Sequence, residues 1–464
     1  MKIKKLFYLI TVSTIAGCSW MREAPMQSVN QPNGFVSASI NSENIESLPY
    51  IAWWSQFDDA QLNGLIESAL YNNLDIGIAI SNLDSARGQL NQVNLAWIPG
   101  ISEWGGYSTN PAFGAPGSFV GLFPAYTLNI ASLIQQGRLA RYGVKYFDAA
   151  VDGTRLEIIG AVSSSYFTLL SQQRQLLLLQ EYNNDLINLV NLSRKKLDIG
   201  IQSDIELSGL QSQQKLIAAQ MELTEHNIQL SSNSINYLLN KNPEKVSLSD
   251  NFAKFNFTQF NPGDLPSNVL QNRPDIRMAE YAVQMSHAKV GIDYASLFPA
   301  IQLDKFIALV NGSTVLSVPN QRGGFQDAYT VAGLEPSIFG AIEADKGAYN
   351  AQVYSYVQTV RKALKDTDNA FSANNRFRNN YLNIESAYAS LDKKYTLQNN
   401  LYKSGIISYP ELLQAKLAVD DMRIISNQAK LQHVTALVNL YQQLAGGYKY
   451  HNEESNYNKL NIDG

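Results

Sequence analysis

The chain holds a single cysteine, Cys18, in 464 residues, so no disulfide can form within it. Its four histidines, His226, His287, His433 and His451, are scattered, and none stands four residues from another, which argues against a metal site. A basic field is also missing. The formal net charge is −4, which excludes a nucleic-acid binder held by bulk charge. The sequence contains no Gly-x-Ser-x-Gly elbow, zinc-ligand spacing or phosphate loop, so nothing points to a hydrolase or to a bound cofactor. Long hydrophobic runs are absent too. Beyond residue 18 no stretch of about 18 apolar residues exists, and a mature chain crossing a bilayer must then do so as a closed β-barrel.

What is present is an internal repeat. Asn73-Leu74-Asp75-Ile76 stands 200 residues before Arg273-Pro274-Asp275-Ile276, and Ile98-Pro99-Gly100-Ile101 stands 200 before Phe298-Pro299-Ala300-Ile301. Further on, Gly200, Ser203, Glu206 and Leu207 match Gly405, Ser408, Glu411 and Leu412 at an offset of 205. Three landmarks in one order point to duplication. The chain divides accordingly into residues 1–17, 18–58, a first repeat 59–240, a linker 241–264, a second repeat 265–445 and a polar tail 446–464.

Lys2, Lys4 and Lys5 precede an apolar run over residues 6–16, the layout of a secretory signal. Ile15-Ala16-Gly17-Cys18 resembles the lipobox of bacterial lipoproteins. That resemblance implies cleavage before Cys18 and a lipid on its sulfur, and Ser19 after it favours outer-membrane sorting.

Each repeat reads as helix, two strands, a very long helix and a return helix. Leu62, Leu65, Ile66, Ala69 and Leu70 give one face of a helix over 62–97, ended by Ile98-Pro99. Strands are predicted over 101–109 and 123–134, the second from the alternation of Tyr126, Leu128 and Ile130 with Thr127, Asn129 and Ala131. Residues 137–197 form a proline-free helix of about 60 residues, roughly 90 Å at a rise of about 1.5 Å. Its return runs over 204–240. In the second repeat, helix 266–297 leads to strands 298–310 and 326–338, then to helix 341–403 and a return to 445. There Leu417, Ile424, Leu431 and Val438 are spaced by sevens, a supercoiling seam. Two strands per repeat cannot close a barrel, since the smallest single-chain membrane barrels have about eight, so spanning requires association.

With Cys18, Trp54, Phe57, Leu62, Leu65, Ala69 and Leu70, the stretch Leu265-Pro266-Ser267, Arg273-Pro274-Asp275-Ile276, Ala279-Glu280, and the Gly405 turn with Glu411-Leu412-Leu413, the chain resembles the TolC-like outer membrane factor family, in its NodT/OprM-like lipoprotein branch. The resemblance implies a mainly α fold with a β part. Long antiparallel helical hairpins form a trimeric periplasmic α-barrel, and four strands per chain enter a 12-stranded outer-membrane β-barrel. It implies a passive duct of a tripartite efflux system, not an enzyme. The partners implied are two further copies, a periplasmic adaptor, an inner-membrane pump of RND or ABC type, and outer-membrane lipids. By position in the motif, Glu411 falls on a carboxylate ring at the duct entrance. Gln414 stands where the family has a second carboxylate, and Asp204 and Glu206 are the candidates to supply charge instead. Gly200, Ser203, Gly405 and Ser408 fall at the adaptor-contacting tips. Ser404-Gly405-Ile406 departs from the family's Val-Gly-Thr, and Gly137-Arg138 is what remains of a longer block after the second strand. Two other readings compete: a duct for type I protein secretion, and a periplasmic coiled-coil scaffold that never spans the membrane.

Overall fold

Asn73 breaks the first helical run in two in the computed structural model, which describes residues 22–25, 29, 49–108, 117–201, 203–248, 252–255, 257, 272–304, 307–310, 313–316, 328–331 and 335–449. Helix α1 covers Ala60–Asn72 and α2 covers Leu74–Leu95, where a single helix is predicted. The cause is local. Asn73 is extended, and its Oδ1 accepts from the amides of Asp75 (2.9 Å) and Ile76 (3.2 Å), starting a new helix. Its Nδ2 donates to Leu238 O at 2.9 Å.

The remaining helices are α3 (Ile130–Asp198), α4 (Asp204–Leu238), α5 (Pro274–Ala295), α6 (Ser337–Lys403) and α7 (Tyr409–Gln443). The duplication is visible in their lengths. α2 and α5 have 22 residues each, α3 and α6 have 69 and 67, and α4 and α7 have 35 each. No helix among the described residues is long and apolar enough to cross a membrane.

The strands are β1 (Gly100–Ser108), β2 (Gly117–Leu128), β3 (Ala300–Asp304), β4 (Ile307–Val310), β5 (Ser313–Leu316) and β6 (Ala328–Val331). All pairings are antiparallel. β1 pairs with β2, which pairs with β3 at its C-terminal end and β4 further back. β5 then pairs with β4, and β6 with β3. The result is a sheet four strands wide, two from each repeat. The alternation that predicts a strand to residue 134 stops instead at Leu128. Asn129 caps α3 by accepting from Ser132 N at 3.0 Å, and its Nδ2 donates to Ala295 O at 2.9 Å. The helix therefore begins seven residues before its predicted start at 137. In the second repeat α6 likewise begins at Ser337, inside the strand predicted over 326–338, and β5 forms where a loop is expected. Helix α5 begins at Pro274, and 258–271, with most of the signature around Leu265, lies outside the described residues.

The chain forms two compact units, each drawing on both repeats. The first takes Ala79–Val151 and Asp275–Val360 with residues 22–25 and 29, and contains the sheet. Ala79, Leu83 and Val151 form a cluster in it with Ile80, Val144 and Phe147. The backbone of Ala24 is held by the Gln284 amide, through bonds of 3.0 and 3.2 Å.

The second unit takes the described residues of 49–78, 152–274 and 361–449. Its core is aromatic. Trp53 stacks on Tyr441 with ring centroids 4.8 Å apart, and Phe57, Phe167 and Phe257 meet edge to face at 5.1–5.5 Å. Asp59 caps α1 through Gln61 N (2.8 Å) and Leu62 N (3.2 Å), and its other oxygen accepts from the buried Tyr166 hydroxyl. A second cluster joins Leu178, Leu179, Tyr182, Leu186 and Leu189 of α3 to Leu413, Leu417 and Ile424 of α7. Three members of the sevens pattern, Leu417, Ile424 and Val438, are buried.

Candidate functional site

Two turns close the helical hairpins, and both are built the same way. After α3, Gly200 takes φ +76°, its N–H donates to Leu197 O (2.9 Å), and Ile201 N–H reaches back to Lys196 O (3.0 Å). After α6, Gly405 takes φ +71°, with Gly405 N–H to Tyr402 O and Ile406 N–H to Leu401 O, both 2.9 Å. This is the Schellman closure, which needs a left-handed residue and so selects glycine. Ser203 and Ser408 then occupy the N-cap positions of α4 and α7. Ile199, Ile201, Ile205 and Ile406 are all more than two-thirds exposed, so both turns present bare apolar side chains.

The charged residues divide. Asp204 and Glu206 are exposed in the first turn of α4, where a carboxylate complements the helix dipole, and neither forms an ion pair among the described residues. Glu411 has a structural task. Its carboxylate accepts from Ser408 N–H at 2.8 Å in a capping box, with Pro410 ahead of it in the first turn. Glu411 is nonetheless exposed, as is Gln414 three residues on, on the same face of α7. Leu412 and Leu413 between them turn inward. Cys18 lies outside the described residues.

Behind the turns lies a set of ion pairs that the sequence reading missed. Lys416 of α7 pairs with the Asp185 carboxylate of α3 and stands 3.5 Å from Asp420. Arg423 reaches Glu181 of α3 at 2.5 Å and Asp420 at 3.3 Å. Asp420 is almost wholly buried. Burial pushes its carboxyl up to about 6, Lys416 works against that shift, and the neighbouring Asp185 adds to it. The sequence signal was the i, i+4, i+7 run Lys416, Asp420, Arg423 on one helical face.

Arg273 shows why Arg-Pro stands at the head of α5. Its Nη1 donates to Gln443 O (2.9 Å) and Gln443 Oε1 (2.8 Å), placing a cation on the last turn of α7. Pro274, with no N–H to satisfy, is the first residue of α5.

The family model for outer membrane efflux proteins matches residues 65–240 and 265–446. A probable efflux pump outer membrane protein, TtgC of Pseudomonas putida, is 24% identical over 95% of this chain and 94% of its own length. The cation efflux system protein CusC of Escherichia coli is 24% identical over 96% of this chain and 99% of its own. Among solved structures, the CmeC outer membrane channel of Campylobacter jejuni superposes with a TM-score of 0.77, at 19% identity, over 93% of this chain and 95% of that one.

Proposed function

The chain belongs to the outer membrane efflux protein family, and from that membership we propose that it is the outer-membrane duct of a tripartite efflux system. Three copies close the duct. Their strands form a 12-stranded barrel in the outer membrane and their helical hairpins a tube in the periplasm. Cys18 carries the lipid anchor. A periplasmic adaptor docks on the Gly200 and Gly405 turns, where Ile199, Ile201, Ile205 and Ile406 supply apolar contact area. An inner-membrane pump delivers substrate and provides the energy. The duct itself catalyses nothing.

The observation that carries this reading is a seam on α4. Leu216, Leu223, Leu230 and Tyr237 recur at sevens and are 49–70% exposed in the single chain. An apolar heptad seam is stable in water when another helix covers it. The sheet makes the same demand, because a sheet only four strands wide leaves open edges and cannot enclose a lumen. Copies of the chain satisfy both.

At the entrance, three Glu411 carboxylates around the axis favour cations, while Gln414 leaves the ring single. Detergent-extracted protein reconstituted into planar bilayers is expected to give cation-preferring channels, with the preference weakened in Glu411→Ala. Silence from wild type, and also from a Gly405→Ala variant with a loosened turn, overturns the reading.

A further inference from the structure

A cavity of about 170 Å³ lies in the second unit, walled by α3, residues 252–253, α6 and α7. It has room for several waters at about 30 Å³ each. Its wall carries the charged side chains of Arg174, Arg423, Lys430 and Glu385. Arg423 is answered by Glu181 and Asp420. Glu385 accepts a hydrogen bond from Ser426.

Lys430 is poorly balanced. Its side chain is buried, with 6% of the residue exposed. An ammonium group has three donors. Here it gives one to the Ala253 carbonyl at 2.9 Å, and the rings of Phe252 and Phe257 lie 5.5 and 5.7 Å away. Burial pushes its pKa down to about 8, and the field of Glu385 restores only part of the loss. A buried cation is stable when an anion accompanies it.

We propose that this cavity is an anion site that takes a small free oxyanion of the phosphate or sulfate class, held by Lys430 and Arg174. The oxyanion adds to the counter-charge that Glu385 supplies to Lys430 only in part. Its tetrahedral oxygens can accept from donors on two different helices, Arg174 of α3 and Lys430 of α7, which line the same cavity. Because the wall draws on α3, α6, α7 and the 252–253 segment, occupancy braces both helical hairpins at once. The site makes no use of the duct reading and stands apart from it.

The test is calorimetric titration and thermal unfolding of the full-length protein in detergent, with inorganic phosphate against a chloride background of constant ionic strength. Wild type is expected to show saturable binding and a saturable rise in Tm. Lys430→Met is expected to fold, to melt in chloride at or above the wild-type temperature, and to lose the phosphate response. Should Lys430→Met fail to fold, Arg174→Gln is expected to weaken binding at least tenfold. Glu385→Gln removes the like charge from the wall and is expected to bind phosphate several-fold more tightly, a gain that a merely structural role for Glu385 does not give. The proposal is overturned if wild type shows no saturable response, or if Lys430→Met or Arg174→Gln responds as wild type does.

Discussion

Helices α4 and α7 are the same element twice. Each has 35 residues, follows a Schellman glycine and a serine N-cap, and ends in a left-handed residue, Asn240 or Ala445, both at φ 55°. What they bury differs. α7 turns Leu412, Leu413, Leu417, Ile424, Leu437 and Val438 inward, and several of these meet α3 in one cluster. α4 leaves Leu216 and Leu223 bare, and at the matching positions 205 residues on, α7 has exposed Asp421 and Gln428. The same face is exposed in both helices, but only α4 makes it apolar. Duplication preserved the backbone while one face diverged: α4 also packs on the α3–α7 cluster through Leu210, Ile217 and Met221, but its Leu216–Leu223 seam stays uncovered within the single chain.

That contrast can be broken by substitution. Ile424→Ala or Leu417→Ala is expected to cost about 2–5 kcal/mol through lost burial and a residual cavity, lowering the melting temperature whatever the protein concentration. Leu223→Ala is expected to leave the fold of a separate chain within about 0.5 kcal/mol of wild type. Its effect should appear only as a melting temperature that rises with concentration, the signature of a weakened assembly. If Leu223→Ala lowers the melt as Ile424→Ala does, independently of concentration, the two seams are not different in kind.

A smaller effect sharpens the equivalence of the turns. A Cβ at Gly200 or Gly405 meets nothing within 4 Å, so alanine at either costs only its left-handed backbone, about 1 kcal/mol. The two losses are expected to be equal in thermal unfolding. Unequal losses would mean that the capping box of Glu411, which only the second turn has, changes how the turn absorbs the strain.

Much of this was legible in sequence because it depends on local chemistry. Gly200 and Gly405 mark turns that need positive φ, and the sevens pattern on α7 reports which face is buried. The errors were also local. Tyr126, Leu128 and Ile130 alternate as a strand does, but Asn129 can cap a helix, and it does so beside Ala295. Asn73 gave the same warning and splits a run whose apolar pattern continues across it. The capping role of Glu411 was present in Ser408-x-x-Glu411, where the family motif drew attention to charge instead. The pairing of Lys416 with Asp185 was out of reach, since 231 residues separate them and only the packing of α7 on α3 brings them together. Lys430 was hidden for the same reason: nothing local says that a lysine among Ser426, Asn427 and Ala429 will be buried against Ala253.

On the proposed reading, copies of the chain cover one another along α4. Light scattering on the protein extracted in mild detergent tests it most directly, comparing wild type with a Leu223→Asp, Leu230→Asp double variant. Wild type is expected to have a protein mass of three chains, and the variant to be single folded chains with an unchanged helical circular-dichroism spectrum. A wild-type protein of one chain, or a double variant that stays trimeric, would contradict it.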